Sequence, residues 1–337
     1  MADINSAENL SDKDILVDQL ISNGSTKWKQ VGIIVAGDKK EAEGEGVDQL
    51  NTPNNLAFDN KYQSLYVSDY TNGRIQRFSV NGKDDRTGVT VLKLNDLDVP
   101  PELALGKKGN NPNALFIDKN DNIYVSEHQP PCRVLKLSPN GTLTTVIESG
   151  DSTFRCCSGL YVDENGNIYV ADWEESTVWK FDKNGKKREI VAGGNGYGNQ
   201  SDQLSHPKGI FVAEKTGNIY VVDVYNRRVQ RWSPSSKVGE TVCGGNDEGD
   251  DLNQFEYPWS VFVDGNEKQI YVCDPYNGRV VRWSAGAEQG EFIVGNNSKN
   301  ANPTELPFFA AIKFDQNGNM YVADSKKNQI RKYLIDN

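Results

Sequence analysis

A six-residue phrase occurs six times along the chain, and its spacing constrains the fold more than any other feature. The copies are SLYVSD (64–69), NIYVSE (122–127), NIYVAD (167–172), NIYVVD (218–223), QIYVCD (269–274) and NMYVAD (319–324). Their tyrosines follow one another at intervals of 58, 45, 51, 51 and 50 residues. Strand-like repeats of this period are typical of a β-propeller, in which each repeat forms one blade.

The fourth repeat shows most clearly how one blade is built. Apolar, β-branched and aromatic residues alternate with polar ones in GIFVA (209–213), IYVVD (219–223), RVQRW (228–232) and ETVCGG (240–245), and turn residues separate these runs. Period-two alternation between turns is the pattern of antiparallel strands. The sequence therefore predicts an all-β, six-bladed β-propeller with four antiparallel strands in each blade.

The last repeat ends after its third strand, so its fourth strand must come from elsewhere. GIIVAG (32–37) precedes the first repeat and matches REIVAG (188–193), the predicted fourth strand of the third blade. We expect this N-terminal strand to complete the last blade, because closing the ring removes two exposed sheet edges. Residues 1–24 are then a tail, predicted to be flexible, and residues 25–337 form the propeller.

These motifs resemble a known family. The pattern P-x-G-hydrophobic-x-hydrophobic-D, followed by G-N-I-Y-V-x-D and then N-x-R-V-Q-R-aromatic, is similar to NHL-repeat β-propellers over about residues 30–337. The resemblance implies the fold. It does not imply one activity, because this architecture serves as substrate-binding domains of ligases, as receptor sensors and as a few lyases.

Composition narrows the classes of partner. The formal net charge is −10 and the pI is about 4.9, which argues against nucleic-acid binding, since phosphate contacts need a basic surface. No apolar run approaches the roughly 20 residues that span a bilayer. The N-terminus as written lacks the basic and apolar regions of a signal peptide. We expect a soluble protein of undetermined compartment, with an extracellular location favoured and its signal peptide absent from this chain.

The five cysteines do not form an even-numbered disulfide framework. Cys132 lies in the loop between the second and third strands of blade two, and Cys156 and Cys157 precede the first strand of blade three. These two kinds of loop open on the same end of the ring, so Cys132 could bond to Cys156 or to Cys157. A vicinal Cys156–Cys157 bond and free thiols remain open. Cys243 and Cys273 fall within strands and are expected to be buried.

The acidic residue that ends each phrase recurs in all six blades, which favours a structural role over a metal site. Asp69, Asp223 and Asp274 each precede an arginine by five residues, consistent with carboxylates that accept hydrogen bonds within their own loops. Blade two differs, because it has Glu127 in place of aspartate and is followed by His128, one of only two histidines in the chain.

The loops that share one end of the ring are the predicted binding site, because loops vary while the strands repeat. They carry aromatic, amide and basic residues, which suit a peptide, protein or glycan partner. The candidate ligand-binding residues are Tyr70, His128, Trp173, Tyr225, Trp259, Tyr276, Asn54, Asn113 and Lys208.

Two other functions stay open. One is an enzyme with a metal in the channel, of the amidating-lyase type, whose zinc is held by three histidines, or of the gluconolactonase type, whose calcium is held by Glu, Asn and Asp. This chain has only His128 and His206, and His206 precedes proline, where a structural role is expected. His128, Asn54 and Asn113 are the weak candidate ligands for zinc or calcium. The other function is an oligomerising structural protein. We expect a binding module rather than an enzyme.

Overall fold

The computed structural model describes residues 12–80, 86–94, 111–127, 132–148, 154–297 and 306–336. Within these ranges, the helix α1 (Asp12–Ser22), 24 strands and a short 3-10 turn (Val224–Asn226) are formed. The strands make six antiparallel sheets of four strands each. The predicted fold class, an all-β six-bladed propeller, is confirmed.

Five blades use four consecutive strands. The first contains β2 (Pro53–Phe58), β3 (Ser64–Asp69), β4 (Arg74–Ser79) and β5 (Val89–Lys93), and the second contains β6 (Pro112–Ile117), β7 (Ile123–Glu127), β8 (Arg133–Leu137) and β9 (Leu143–Glu148). The third contains β10 (Cys157–Val162), β11 (Ile168–Asp172), β12 (Thr177–Phe181) and β13 (Arg188–Gly193). The fourth contains β14 (Pro207–Ala213), β15 (Asn218–Asp223), β16 (Arg228–Trp232) and β17 (Glu240–Gly244), and the fifth contains β18 (Ser260–Val263), β19 (Gln269–Asp274), β20 (Arg279–Ser284) and β21 (Glu291–Gly295).

The sixth blade joins the two ends of the chain. It contains β22 (Phe309–Phe314), β23 (Met320–Asp324) and β24 (Gln329–Tyr333), and its outer strand is β1 (Ile33–Ala36). Ile33 lies opposite Lys332 and Ile34 lies opposite Arg331 in an antiparallel pair. The predicted closure by GIIVAG is therefore observed, and it ties the first strand of the chain to the last.

The hydrophobic core lies between neighbouring blades. Tyr220 and Val222 of the fourth blade, for example, pack with Val261 and Val272 of the fifth. This arrangement follows from period-two alternation, because it places apolar side chains on the sheet faces that meet the next blade. The first strand of each blade runs along the central axis beside the first strands of its neighbours.

Part of the predicted N-terminal tail is attached to the ring. Ile21, in α1, is only 1% exposed, and the Tyr271 hydroxyl donates a hydrogen bond of 2.7 Å to its carbonyl oxygen. The Arg282 guanidinium donates to the Asn23 carbonyl oxygen at 3.3 Å. The described part of the tail thus covers the outside of the fifth and sixth blades. Among the described helices, none is long and apolar enough to cross a membrane.

The cysteines fall into two groups. Of the pairings left open by the sequence, the structure contains a Cys132–Cys157 disulfide with a Cα–Cα distance of 5.8 Å, which joins the second blade to the third. Cys156 is buried and lies outside this bond. Cys243 and Cys273 are buried within strands, as predicted.

Candidate functional site

The first strands of the blades start around one mouth of the central channel, which we call the loop end. Here a cavity of about 600 Å³ opens. Its lining residues come from all six blades: Thr52, Asn54, Tyr70, Asn113, Ser158, Trp173, Lys208, Trp259, Phe308, Ser325 and Lys326. Most of them occupy equivalent positions in successive blades, yet they differ in chemistry. This arrangement makes the cavity the candidate binding site.

Hydrogen bonds from blade to blade form one half of the mouth. In each of these bonds a side chain donates to a backbone carbonyl oxygen of the next blade. The bonds run from Ser325 Oγ to Pro53 O (2.5 Å), from Asn54 Nδ2 to Asn113 O (3.1 Å), from Asn113 Nδ2 to Ser158 O (3.1 Å) and from Ser158 Oγ to Pro207 O (2.6 Å). The side chains of Asn54 and Asn113 therefore connect neighbouring blades. Asn54 Nδ2 also donates to Asn113 Oδ1 at 2.5 Å, so that amide oxygen is already engaged.

Aromatic contacts form the other half. The Lys208 Nζ atom lies 3.5 Å from the centroid of the Trp259 ring, a cation–π contact. Trp259 packs edge-on against Phe308 at 4.6 Å between centroids, and Phe308 packs against Tyr276 at 5.4 Å. From Tyr276 the ring contacts continue outward over the fifth, fourth and third blades.

We call this continuous row the aromatic arc. Its members are Trp259, Phe308, Tyr276, Tyr257, Tyr225, His206, Trp173 and Tyr197, joined by ring contacts of 4.3–5.6 Å between centroids. Tyr197, Tyr276 and Tyr225 are 65%, 46% and 42% exposed. Linked and partly exposed rings of this kind offer a large contact area with few rotatable bonds.

The charge of the mouth differs from that of the whole chain. Lys208 and Lys326 line the cavity, and its described lining contains no aspartate or glutamate, although the net charge is −10. Burial lowers the pKa of Lys208 to about 8, and the nearby Cys156 thiol opposes this shift. The mouth is therefore a locally basic, partly apolar site.

Buried carboxylates hold the loops beneath the mouth. Asp274 is fully buried and accepts hydrogen bonds from Arg279 Nε at 3.0 Å and from Asn277 Nδ2 at 2.8 Å. Arg279 also donates to the Gln254 carbonyl oxygen at 2.9 Å, which ties down the preceding loop. The same contacts recur around Asp69 and Asp223. These carboxylates are turn anchors, as the spacing to arginine indicated.

The structure brings most of the predicted site residues together. Lining the cavity are Tyr70, Trp173, Trp259, Asn54, Asn113 and Lys208. Tyr225 and Tyr276 lie beside it, on the aromatic arc. His128 lies outside the described residues. Ligand contact by each of these residues stays a prediction.

Four residues of the arc, Tyr197, Tyr257, His206 and Phe308, are absent from the predicted ligand-binding residues. Tyr197 and Tyr257 lie in the loops that connect blades, and only their position next to other aromatic loop residues could have suggested them. His206 was assigned a structural role, but its ring contacts Tyr225 at 4.3 Å and Trp173 at 5.0 Å. Its φ of 55° is rare for a residue other than glycine, but Thr52, which precedes Pro53 at the equivalent position of the first blade, has the same φ, so this backbone geometry belongs to the repeated loop.

The described residues do not fit the three-histidine zinc site of the lyase type. They contain only one histidine, His206, whose ring packs within the aromatic arc and whose pKa is lowered by burial. Across the described ranges, no group of three or more His, Cys, Asp or Glu side chains could hold a metal ion.

Comparisons with known proteins agree with the repeat type. Residues 154–181, which span most of β10 to β12, match the NHL repeat family, so the predicted repeat is confirmed. The peptidylglycine alpha-amidating monooxygenase of Rattus norvegicus is 27% identical over 203 residues, which cover 58% of this chain and 20% of that protein. This chain therefore matches only about a fifth of that relative's length.

Solved structures show the same fold at low identity. A Bacteroides thetaiotaomicron protein of unknown function superposes with a TM-score of 0.69 at 16% identity, covering 92% of this chain and 77% of its own. An auxiliary nutrient binding protein from the same organism gives a TM-score of 0.67 at 14% identity, covering 92% and 78%. At these identities the likeness concerns the fold alone.

Proposed function

We propose that this propeller with NHL-type repeats is a peptide-binding module, in which the aromatic arc and the adjoining mouth hold an extended segment of a partner. The aromatic arc is the observation that carries the proposal. It leads from the exposed Tyr197, over the third to fifth blades, to Trp259 at the rim of the channel. A peptide lying along this row would place side chains on successive rings.

The composition of the site suits a peptide. Tyrosine and tryptophan rings bury large areas at a low cost in side-chain entropy, and they recur among the residues that dominate binding energy. Lys208 and Lys326 at the mouth provide positive charge for an acidic group of the peptide. The name of the Rattus norvegicus relative, which refers to peptidylglycine, gives independent support for a peptide ligand.

A glycan is the second candidate, because aromatic rings also stack on sugars. The nutrient binding name of one structural neighbour supports this reading. An enzyme that uses a channel-bound zinc or calcium ion is a third. Elemental mass spectrometry on protein purified without chelators tests the enzyme hypothesis. A stoichiometric metal that is lost on Asn54→Ala would support a metal-dependent enzyme, and the absence of metal would contradict it.

We further propose an oxidising, extracellular-type compartment. The Cys132–Cys157 disulfide supports this, since such bonds persist mainly outside the cytosol. Mass spectrometry of the native protein after thiol blocking should recover the Cys132 and Cys157 peptides as one cross-linked species. Full alkylation of both cysteines in protein from its native source would contradict the proposal.

The peptide proposal is tested by selecting a random peptide library, displayed on phage, against the full chain. Selected peptides are then synthesised, and their Kd is measured by fluorescence anisotropy for the wild type, Tyr225→Ala and Tyr276→Ala. We expect each variant to weaken binding at least tenfold, about 1.4 kcal/mol or more. Both rings are about half exposed, so the variants should keep the wild-type Tm to within a few degrees.

Tyr62→Ala is the matched control, because Tyr62 lies in the turn between β2 and β3, at the opposite end of the ring. It should leave the Kd unchanged. Selected peptides that bind the arc variants as tightly as the wild type would overturn the proposal. Failure to select any peptide, together with binding to a glycan array that Tyr225→Ala abolishes, would replace the peptide by a glycan.

A further inference from the structure

The channel behind the mouth narrows to a small cavity of about 40 Å³. Its walls are the first strands of the blades, and small residues such as Gly159, Gly209 and Ala311 bring these strands close together. Within the described lining, the side chains that carry a full charge at neutral pH are two lysines, Lys208 and Lys313, and none is acidic. The lumen is therefore positive inside a strongly negative protein.

Lys313 breaks a repeated feature of the inner strands. Each first strand has a residue paired with the tyrosine of the six-residue phrase, and these residues are Ala57, Phe116, Tyr161, Phe211, Phe262 and Lys313. Four of the six are aromatic and pack in sequence around the channel. The lysine follows the last of these and stands next to Ala57 of the first blade, where the aromatic series is interrupted. Packing alone gives no reason for a charged residue there.

Neither ammonium group has a counter-charge in the part of the chain that the structure describes. Lys208 Nζ contacts the Trp259 ring, and no carboxylate forms an ion pair with Lys208 or with Lys313 among the described residues. Burial lowers the pKa of both lysines to about 8. For Lys313 no neighbouring charge contributes to this shift. Both lysine side chains are half-buried, and a charge at such a position is costly without a counter-charge; a bound counter-ion would offset that cost.

We propose that the channel is a binding site for a small monovalent anion such as chloride, held by Lys208 and Lys313. A cavity of about 40 Å³ exceeds the roughly 10–15 Å³ of free volume that one water molecule needs, so a small ion fits in it. The two lysines would attract an anion and repel a divalent cation. The site goes beyond the proposed peptide-binding function, because Lys313 is part of neither the mouth nor the aromatic arc.

The test uses the full chain and chloride itself. Sodium chloride is titrated into the protein in sodium gluconate of constant ionic strength, and the width of the chlorine NMR signal reports binding. We expect a saturable broadening in the wild type that falls at least tenfold in Lys313→Met and is weakened in Lys208→Met. Lys237→Met is the matched control, because Lys237 is exposed on the outside of the fourth blade, and it should bind as the wild type does.

Thermal unfolding gives an independent readout. Chloride at about ten times its Kd should raise the Tm by roughly 2 °C relative to gluconate, and Lys313→Met should lose this difference. Lys313→Arg retains the charge and should restore it, which separates anion binding from a packing defect. Equal broadening in Lys313→Met and the wild type, or an equal Tm in chloride and gluconate, would overturn the proposal. Peptide binding to the arc is measured separately, so either proposal can fail alone.

Discussion

The two ends of the ring are made from the same strands but differ in how far they repeat. At the opposite end, which we call the turn end, Asp118, Asp163 and Asp315 each accept hydrogen bonds of 2.8–3.0 Å from two backbone N–H groups of their own turn. At the loop end, the residue near the start of each blade's first strand varies from blade to blade. In chain order, the six blades have Asn54, Asn113, Ser158, Lys208, Trp259 and Ala310 at this position. Residues that repeat from blade to blade stabilise the fold of the ring. Residues that differ between blades are those expected to bind a ligand.

The loop end also contains repeated residues, which lie beneath the variable residues of its rim. The buried Asp274 and Arg279 hold the loops of the fifth blade, while the exposed Tyr276 projects above them. The comparison therefore predicts that stability depends on the repeated anchors of either end, and that binding depends on the rim of one end only. Stability measurements on single variants test this distinction.

The largest effect is expected from Asp274→Ala. This change leaves the buried guanidinium of Arg279 without its carboxylate and removes the acceptor for Asn277 Nδ2. Breaking a buried ion pair by removing one partner costs about 3–5 kcal/mol. Urea unfolding followed by circular dichroism should show a loss of this size in the free energy of unfolding.

Asp250→Ala is the control for this prediction. Asp250 lies in the same loop region but its side chain is exposed, and its backbone carbonyl oxygen still accepts a hydrogen bond from Arg279 in the variant. Its loss should be below about 1 kcal/mol. If Asp274→Ala cost no more than Asp250→Ala, the carboxylate would not be an anchor and the proposed layering of the loop end would be wrong.

A smaller loss is expected at the turn end from Asp315→Ala. The Asp315 carboxylate caps the backbone N–H groups of Asn317 and Asn319 at 2.9 and 3.0 Å and pairs with Lys332 at 3.0 Å. Asp315 itself is buried, but Asn317 is exposed and Lys332 is partly exposed, so water can reach the groups that the variant leaves behind, and we expect about 1–2 kcal/mol.

The same unfolding measurement on Asn317→Ala provides the comparison, because it keeps the backbone N–H of residue 317 and removes only an exposed side chain. It should cost no more than a few tenths of a kcal/mol. An Asp315→Ala loss as large as that of Asp274→Ala would show that the two ends contribute equally, which the greater exposure of the partners of Asp315 argues against.

The repeated parts of the molecule were predictable from the sequence. The six phrases fix the number of blades, and the likeness of residues 32–37 to 188–193 identified the closing strand. Anchors such as Asp274 were recognised by their constant distance from arginine. In each case the information lies within one repeat, or in the comparison of one repeat with another.

The varied parts were less predictable, because their neighbours come from other blades. Tyr257 and His206 are 51 residues apart in the chain, yet both contact Tyr225. Their contact depends on the geometry of the closed ring, which no local pattern contains. Lys313 is concealed for the same reason: within its own strand it is one polar residue among apolar ones, and only the register places it in the series Phe116, Tyr161, Phe211, Phe262.

The smallest expected effect is a pH dependence of the free energy of unfolding, caused by a lysine in the channel and not by the residues of either end. The pKa of Lys208 falls from 10.5 in the unfolded chain to about 8 in the folded one. Below pH 8 both states carry the proton, and the folded state bears the full cost of the buried charge. Between pH 8 and 10.5 the unfolded chain binds more protons, so stability attributable to this group rises with pH. Lys208→Met removes this dependence.

In chloride-free gluconate buffer, Lys208→Met should therefore be more stable than the wild type at pH 7. Because the Lys208 side chain is partly exposed and solvent screens its charge, this advantage should shrink by about 1 kcal/mol by pH 10.5, less than the full pKa change implies. Urea unfolding at several pH values measures the difference, and Lys237→Met should show no such trend. A constant difference across this range would contradict a buried, uncompensated ammonium. The same series is then repeated in chloride. An anion bound in the channel favours the charged form of Lys208, so the stability advantage of Lys208→Met at pH 7 should be smaller than in gluconate. This advantage should also begin to shrink only at a higher pH.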